Sequence, residues 1–243
     1  MSINSLACVQ SFINKKKAGG LPAIIATITN SQAPAPFQPG FYLLAPATAV
    51  YNSSNGNISA CSCIINNQTS PYTFMNGTYY FLSSSTTSTS IGANLFYSFY
   101  GDGVPDVFLG PTNYDTAGTY TGSVSTLVSG TTVYGEWQQI QLPYTLYVTT
   151  YSVNANTGGG GAWSPYFPKS FYLCGSNDGT TWSTVDNRSG LTCSANLLNY
   201  FTAPTQTQGY RYFRLIGQQV GTFANTHGKR MGVCVGIQGT YRG

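Results

Sequence analysis

One pattern limits what this chain of 243 residues can fold into more than any other. Gly135-Glu136-Trp137-Gln138-Gln139-Ile140-Gln141-Leu142-Pro143 alternates, so that an extended backbone puts Ile140 and Leu142 on one face and Gln139 and Gln141 on the other. A strand with one apolar face needs a second layer to bury it against. Pro143 lacks a backbone donor and is expected to end the strand. Later, Gly175-Ser176-Asn177-Asp178-Gly179-Thr180-Thr181-Trp182 sets an Asn-Asp-Gly turn signal between two strand-like runs, 170–174 and 181–185.

Similar runs recur between turn residues. Strands are predicted at 77–82, 95–100, 120–127, 131–134, 137–142, 144–153, 210–217 and 233–241, with four consecutive glycines at 158–161 as a loop tip. Short strands at this spacing argue for an all-β sandwich. Residues 1–70 read differently, as an extended N-terminal arm with short strands. A short helix is expected over 2–17, stopped by Gly19-Gly20, then a strand over 21–28 and a proline-held extended stretch over 33–40. The arm lacks the apolar mass for its own core, so it is expected to dock on something else. The sandwich domain is assigned to 71–243.

Charge narrows the function classes. Only 7% of residues are charged, against about 25% in ordinary globular domains. Aromatics make up 14%, which is not the composition of a disordered chain. A surface of Ser, Thr, Asn and Tyr lacks the mixed charges that keep free proteins apart. Such a surface suits a subunit of an assembly or a protein working outside cells. The net charge of +4 is scattered except at residues 15–17 and at Lys229-Arg230, so the clustered basic face of a nucleic-acid binder is not expected. No run reaches the roughly 18 apolar residues of a membrane-spanning helix. Residues 1–8 do not read as a secretory leader, so a chain used without secretion is expected.

The residues that carry chemistry are few. One histidine, His227, one glutamate and five aspartates offer no nucleophile elbow, phosphate loop or zinc helix, and no enzyme is expected. Cys61-Ser62-Cys63 is too closely spaced for a zinc knuckle. Cys174 and Cys193 flank the Asn-Asp-Gly turn and its strand; they are read either as a cross-hairpin disulfide or as free buried thiols. Asn52, Asn57, Asn67, Asn76 and Asn187 begin glycosylation sequons, which act only on a secretory route.

Four segments together, 135–143, 168–173, 175–182 and 210–215, resemble the discoidin family, the coagulation-factor C-type domains with a galactose-binding-like jelly-roll fold. The likeness covers about residues 71–243 and is nearest to the divergent form in structural proteins of large DNA viruses and phage fibres. It implies a jelly-roll β-sandwich whose core is held by Trp137, Trp182 and Phe213, and ligand sites on loops at one end. The family's staple between first and last strands is missing, since no cysteine lies near residue 75 to meet Cys234. Exposed loop aromatics and amides are the expected carbohydrate contacts: Trp163, Tyr166 and Phe167 after the glycine tip, and Tyr114 with Asp115 in another loop. Asp102 and Asp106 are the candidate ligands of a structural Ca²⁺, as many galactose-binding-like folds hold one; no other cofactor is expected. With the composition, the resemblance implies a virion structural protein, a minor capsid, cement or fibre component, with other capsid or fibre subunits as partners. The alternatives are a lectin-like attachment protein recognising host glycans and an extracellular adhesion protein.

Overall fold

The computed structural model describes residues 60–65, 77–85, 108–109, 112–154, 164–192, 199–222 and 230–241. The helix expected over 2–17 and the strands over 21–28 and 95–100 lie outside them. The strands are, in chain order, β1 (Ala60–Ile65), β2 (Gly77–Ser83), β3 (Phe108–Leu109), β4 (Ser125–Val128), β5 (Thr131–Tyr134), β6 (Glu136–Asn154), β7 (Pro168–Ser176), β8 (Ser183–Arg188), β9 (Asn199–Thr202), β10 (Tyr210–Val220), β11 (Met231–Gly232) and β12 (Cys234–Tyr241). One 3-10 turn, Ser164–Tyr166, precedes β7. Residues 60–65, inside the stretch read as an arm with short strands, form the edge strand of the main sheet.

The architecture follows from β6. Its 19 residues would span about 60 Å if straight, too long for one layer of a domain this size. Its first half lies between β2 and β10, in the order β1-β2-β6-β10-β7-β8. Its second half lies between β12 and β9. One strand thus serves both layers of a jelly-roll sandwich.

The change of layer explains Pro143. Pairing with β2 ends at Gln141, and pairing with β10 skips from Gln141 to Leu146. Pro143 falls in that gap, where no ladder partner asks for its missing donor. The strand therefore runs through the proline instead of ending at it, a correction to the sequence reading. A second irregularity follows at Thr149. Val148 faces Gly239 and Thr150 faces Gln238, so Thr149 is an extra, bulged residue. The bulge reverses the alternation: Ile140, Leu142, Tyr144, Leu146 and Val148 point inward before it, Tyr151 and Val153 after it.

Between the layers, Phe81, Ile140, Phe171, Leu173, Phe213 and Leu215 meet Tyr151, Val153, Val235 and Ile237 in one cluster. The Tyr151 and Phe171 rings touch edge to face across the layers at 6.2 Å. Each such side chain contributes about 1.5–3 kcal/mol by burial. Phe213 belongs here as expected.

The two tryptophans do not. Parity places Trp137 on the opposite face of β6 from Ile140, and it packs half-buried with Trp182, Val128, Val133, Cys174 and Ile216 in a second cluster outside the sandwich. The β4–β5 hairpin covers that cluster. Its turn, Ser129-Gly130, has φ of 49° and 83° at its two residues, the geometry of a tight two-residue hairpin loop. The strand expected to begin at residue 120 begins at Ser125 because Tyr120 is bridged to Tyr114 instead. Cys174 carries a free buried thiol, which excludes the disulfide to Cys193; burial pushes that thiol up to about 12.

Candidate functional site

Antiparallel pairing brings the end of β2, the start of β6, the end of β10 and the start of β7 to one end of the first layer. The second layer returns to the same place. Gln138 Nε2 donates to Val233 O at 3.4 Å, and the next residue, Cys234, pairs with Asn154 at the end of β6. Ser84 and Ser85, loop 112–124, Asn154, the 3-10 turn before β7 and Gly221 therefore all stand at this end.

Its hub is Glu136, the chain's one glutamate, wholly buried where β6 begins. Ser84 Oγ and Ser85 Oγ donate to Glu136 Oε2 at 2.5 and 2.6 Å. Asn113 Nδ2 donates to Oε1 at 2.6 Å, and the Tyr120 hydroxyl donates to the same oxygen at 3.3 Å. No cation pairs with it among the described residues, where the ion pair present is Arg188–Asp186. A buried carboxylate is tolerable only when its lone pairs are filled, and here neutral donors fill them. Burial, and then the negative charge of Glu136, push the Tyr120 hydroxyl up to about 12 and hold the Tyr114 hydroxyl well above its usual value.

The loop 112–122 is tied to the strands by more than Glu136. Tyr114 donates its hydroxyl to Gly217 O at 2.9 Å, Tyr120 N donates to Gln218 O, and Val220 N donates to Gly118 O. Asp115 Oδ1 accepts from Thr119 N at 2.8 Å and closes the loop on itself.

This geometry revises the expected contacts. Tyr114, Tyr166 and Phe167 are core residues, at 1%, 8% and 0% exposure, and offer no ring face to a ligand. They are apolar anchors that hold loop ends to the sandwich, and burial is what such rings gain most from. Asp115 is a half-buried turn former. Trp163, Asp102 and Asp106 lie outside the described residues, and no group of three His, Cys, Asp or Glu gathers among the described ones. Glu136, Asn113, Ser84 and Ser85 were missed. The signal for Glu136 was present: a lone carboxylate beside a tryptophan on a core strand of a charge-poor chain.

The outer face of the first layer holds a second polar arrangement. The Arg214 guanidinium lies between two indoles, 3.8 Å from the Trp137 ring centre and 4.1 Å from that of Trp182. Gln139 Oε1 accepts from its Nε and Nη2 at 3.1 and 2.7 Å, and Thr126 Oγ1 accepts from Nη1 at 2.8 Å. Desolvation lowers this arginine to about 10. Thr126 belongs to β4, so Arg214 fastens the hairpin to the sheet. Beyond the hairpin the same face is open at Tyr80, Gln141 and Tyr212.

No protein-family model matches the chain, and no curated protein does. Among solved structures, similar chains include the C-terminal domain of a chitobiase from Bacteroides fragilis, at 16% identity and TM-score 0.34, over 47% of this chain and 69% of that one. An F5/8 type C domain from Bacteroides fragilis matches at 16% identity and TM-score 0.32, over 43% and 66%. CBM32-3, from a family 31 glycoside hydrolase of Clostridium perfringens, matches at 12% identity and TM-score 0.36, over 65% and 87%. These neighbours are discoidin-like and carbohydrate-binding β-sandwiches. The overlaps are partial, and the fold stands on the strand order and register given above.

Proposed function

We propose that this chain is a non-catalytic recognition module that binds neutral glycans through the loops at the Glu136 end. One observation carries the reading: a wholly buried carboxylate, filled by neutral donors from the end of β2 and from loop 112–122, fixes that loop rigidly at this end of the sandwich. Loops on a rigid sandwich are where such folds place recognition. The exposed positions of loop 112–122, Thr112, Thr116, Ala117, Thr119 and Thr121, are uncharged and mostly hydroxylated, which suits a neutral polyhydroxylated ligand. The sequence resemblance to discoidin domains, which implies ligand sites on loops at one end, supports the same placement.

A glycan array probed with the intact protein tests this. Binding to a defined set of neutral glycans, weakened by Trp163→Ala or Asn113→Ala with the fold retained, is the expected result. No binding to any glycan by the folded protein, in whatever oligomeric state it is purified, defeats the reading.

A role as a virion structural component, with capsid or fibre subunits as partners, has a narrower support: the 7% charge content, which suits a surface covered by other subunits. Sedimentation distinguishes it, since a free monomer at micromolar concentration is not what such a component should be.

A further inference from the structure

We propose that the open row Tyr80–Gln141–Tyr212, on the outer face of the first layer, is a second binding surface, for a neutral polysaccharide chain lying across β2, β6 and β10. It is separate from the loop end and does not depend on it.

The register sets the row. Tyr80 pairs with Gln141, and Gln141 pairs with Tyr212, so the three side chains stand side by side on one face. Adjacent strands lie about 4.8 Å apart, which puts the two tyrosines about 10 Å apart, the span of a disaccharide. Tyr80 is 45% exposed, and Gln141 and Tyr212 are half-buried. Tyr212 is also held in place from behind. A Cβ added at Gly179 would meet its ring at 3.2 Å, so the turn packs directly against the tyrosine.

Unspent polar groups distinguish this row from its neighbour. Gln139 and Arg214, one row along, saturate each other. Neither the Tyr80 and Tyr212 hydroxyls nor the Gln141 amide bonds to another described residue. No charged residue stands in the row, and Arg214 beside it is enclosed by its two indoles. Two ring faces flanking an amide fit the apolar face and the hydroxyls of a sugar. Tyrosine supplies both apolar area and a polar tip at low entropic cost. A protein partner needs about 800 Å² on each side, far more than three side chains present. The one carboxylate in the turn behind Tyr212, Asp178, is engaged by Thr180 N, Thr181 N and Ser176 Oγ, so it is spent on the turn.

Affinity electrophoresis of the full chain in native gels containing hydroxyethylcellulose, galactomannan or xyloglucan tests the proposal. The wild type should be retarded by at least one of these polymers. Tyr80→Ala, at an exposed position the fold tolerates, should weaken retention up to about tenfold. Tyr80→Phe should fall between, because it keeps the ring and loses the hydroxyl. The glycan-array profile of Tyr80→Ala should match the wild type, which separates this surface from the loop end. Absence of retardation in all three polymers overturns the proposal, and so does equal retardation of wild type and Tyr80→Ala. A wild-type dimer on size exclusion that Tyr80→Ala converts to monomer, without polymer retardation, assigns the row to self-association and also overturns it.

Discussion

Glu136 and Arg214 are two charges withdrawn from water on the same sheet, and neither is ion-paired within the described residues. The anion is met by hydroxyl and amide donors from the end of β2 and loop 112–122. The cation is met by two ring faces, an amide oxygen and a hydroxyl, from its own sheet, the start of β8 and the β4–β5 hairpin. A carboxylate has no favourable contact with an indole face, so it must be held by directed hydrogen bonds, and those can tie distant segments together. A guanidinium is planar and weakly hydrated, so it can be held by packing. The first arrangement fixes the loop end, and the second fixes a hairpin.

The contrast can be broken by mutation. Glu136→Ala leaves its donors without their acceptor and should cost more than about 3 kcal/mol in urea unfolding. Glu136→Gln keeps the shape and one acceptor oxygen and should cost about 1–2 kcal/mol. Arg214→Ala should cost about 2 kcal/mol, with Arg214→Lys near half of that because a point charge cannot stack on two rings. Hydrogen exchange sharpens the comparison. Glu136 variants should loosen 112–122 and 84–85, while Arg214 variants should loosen 125–134. Loosening of both regions by either variant would show one cooperative unit instead of two.

The smallest expected effect lies at the opposite end. Asp178 Oδ1 accepts from Thr180 N and Thr181 N, both at 2.7 Å, and from Ser176 Oγ at 2.9 Å. The two backbone donors, Thr181 first, hold this carboxyl well below the usual range. Its contribution is present above the unfolded carboxylate value of about 4 and is lost as pH falls toward the lower folded value. Asp178→Asn should flatten the acid limb of the stability profile by lowering stability slightly at neutral pH and leaving it unchanged at low pH, where the wild-type carboxyl is protonated. An unchanged acid limb would show that this turn carries no linkage.

Much of the fold was legible locally. The Asn177-Asp178-Gly179 turn, the strand at 131–134 and the opposed faces of Ile140 and Gln139 follow from turn chemistry and alternation, which act over a few residues. The faces themselves were legible, but not which one looks inward in company. Trp137 was expected in the main core and sits in the outer cluster, because apolar character alone does not say which layer covers a side chain. Pro143 and Thr149 were misread or unseen because a ladder gap and a bulge exist only in relation to partner strands.

The candidate site was less legible for the same reason. Tyr114, Tyr166 and Phe167 fall in loops by sequence, but tertiary packing turns their rings into the core. Ser84 reaches Glu136 across 52 residues of chain. The sequence by itself determined an all-β sandwich, its turns and a charge-poor composition, since propensity and composition are local properties. The tertiary structure decided the inner face, the strand shared between layers and the partners of Glu136 and Arg214, since each depends on contacts between distant residues.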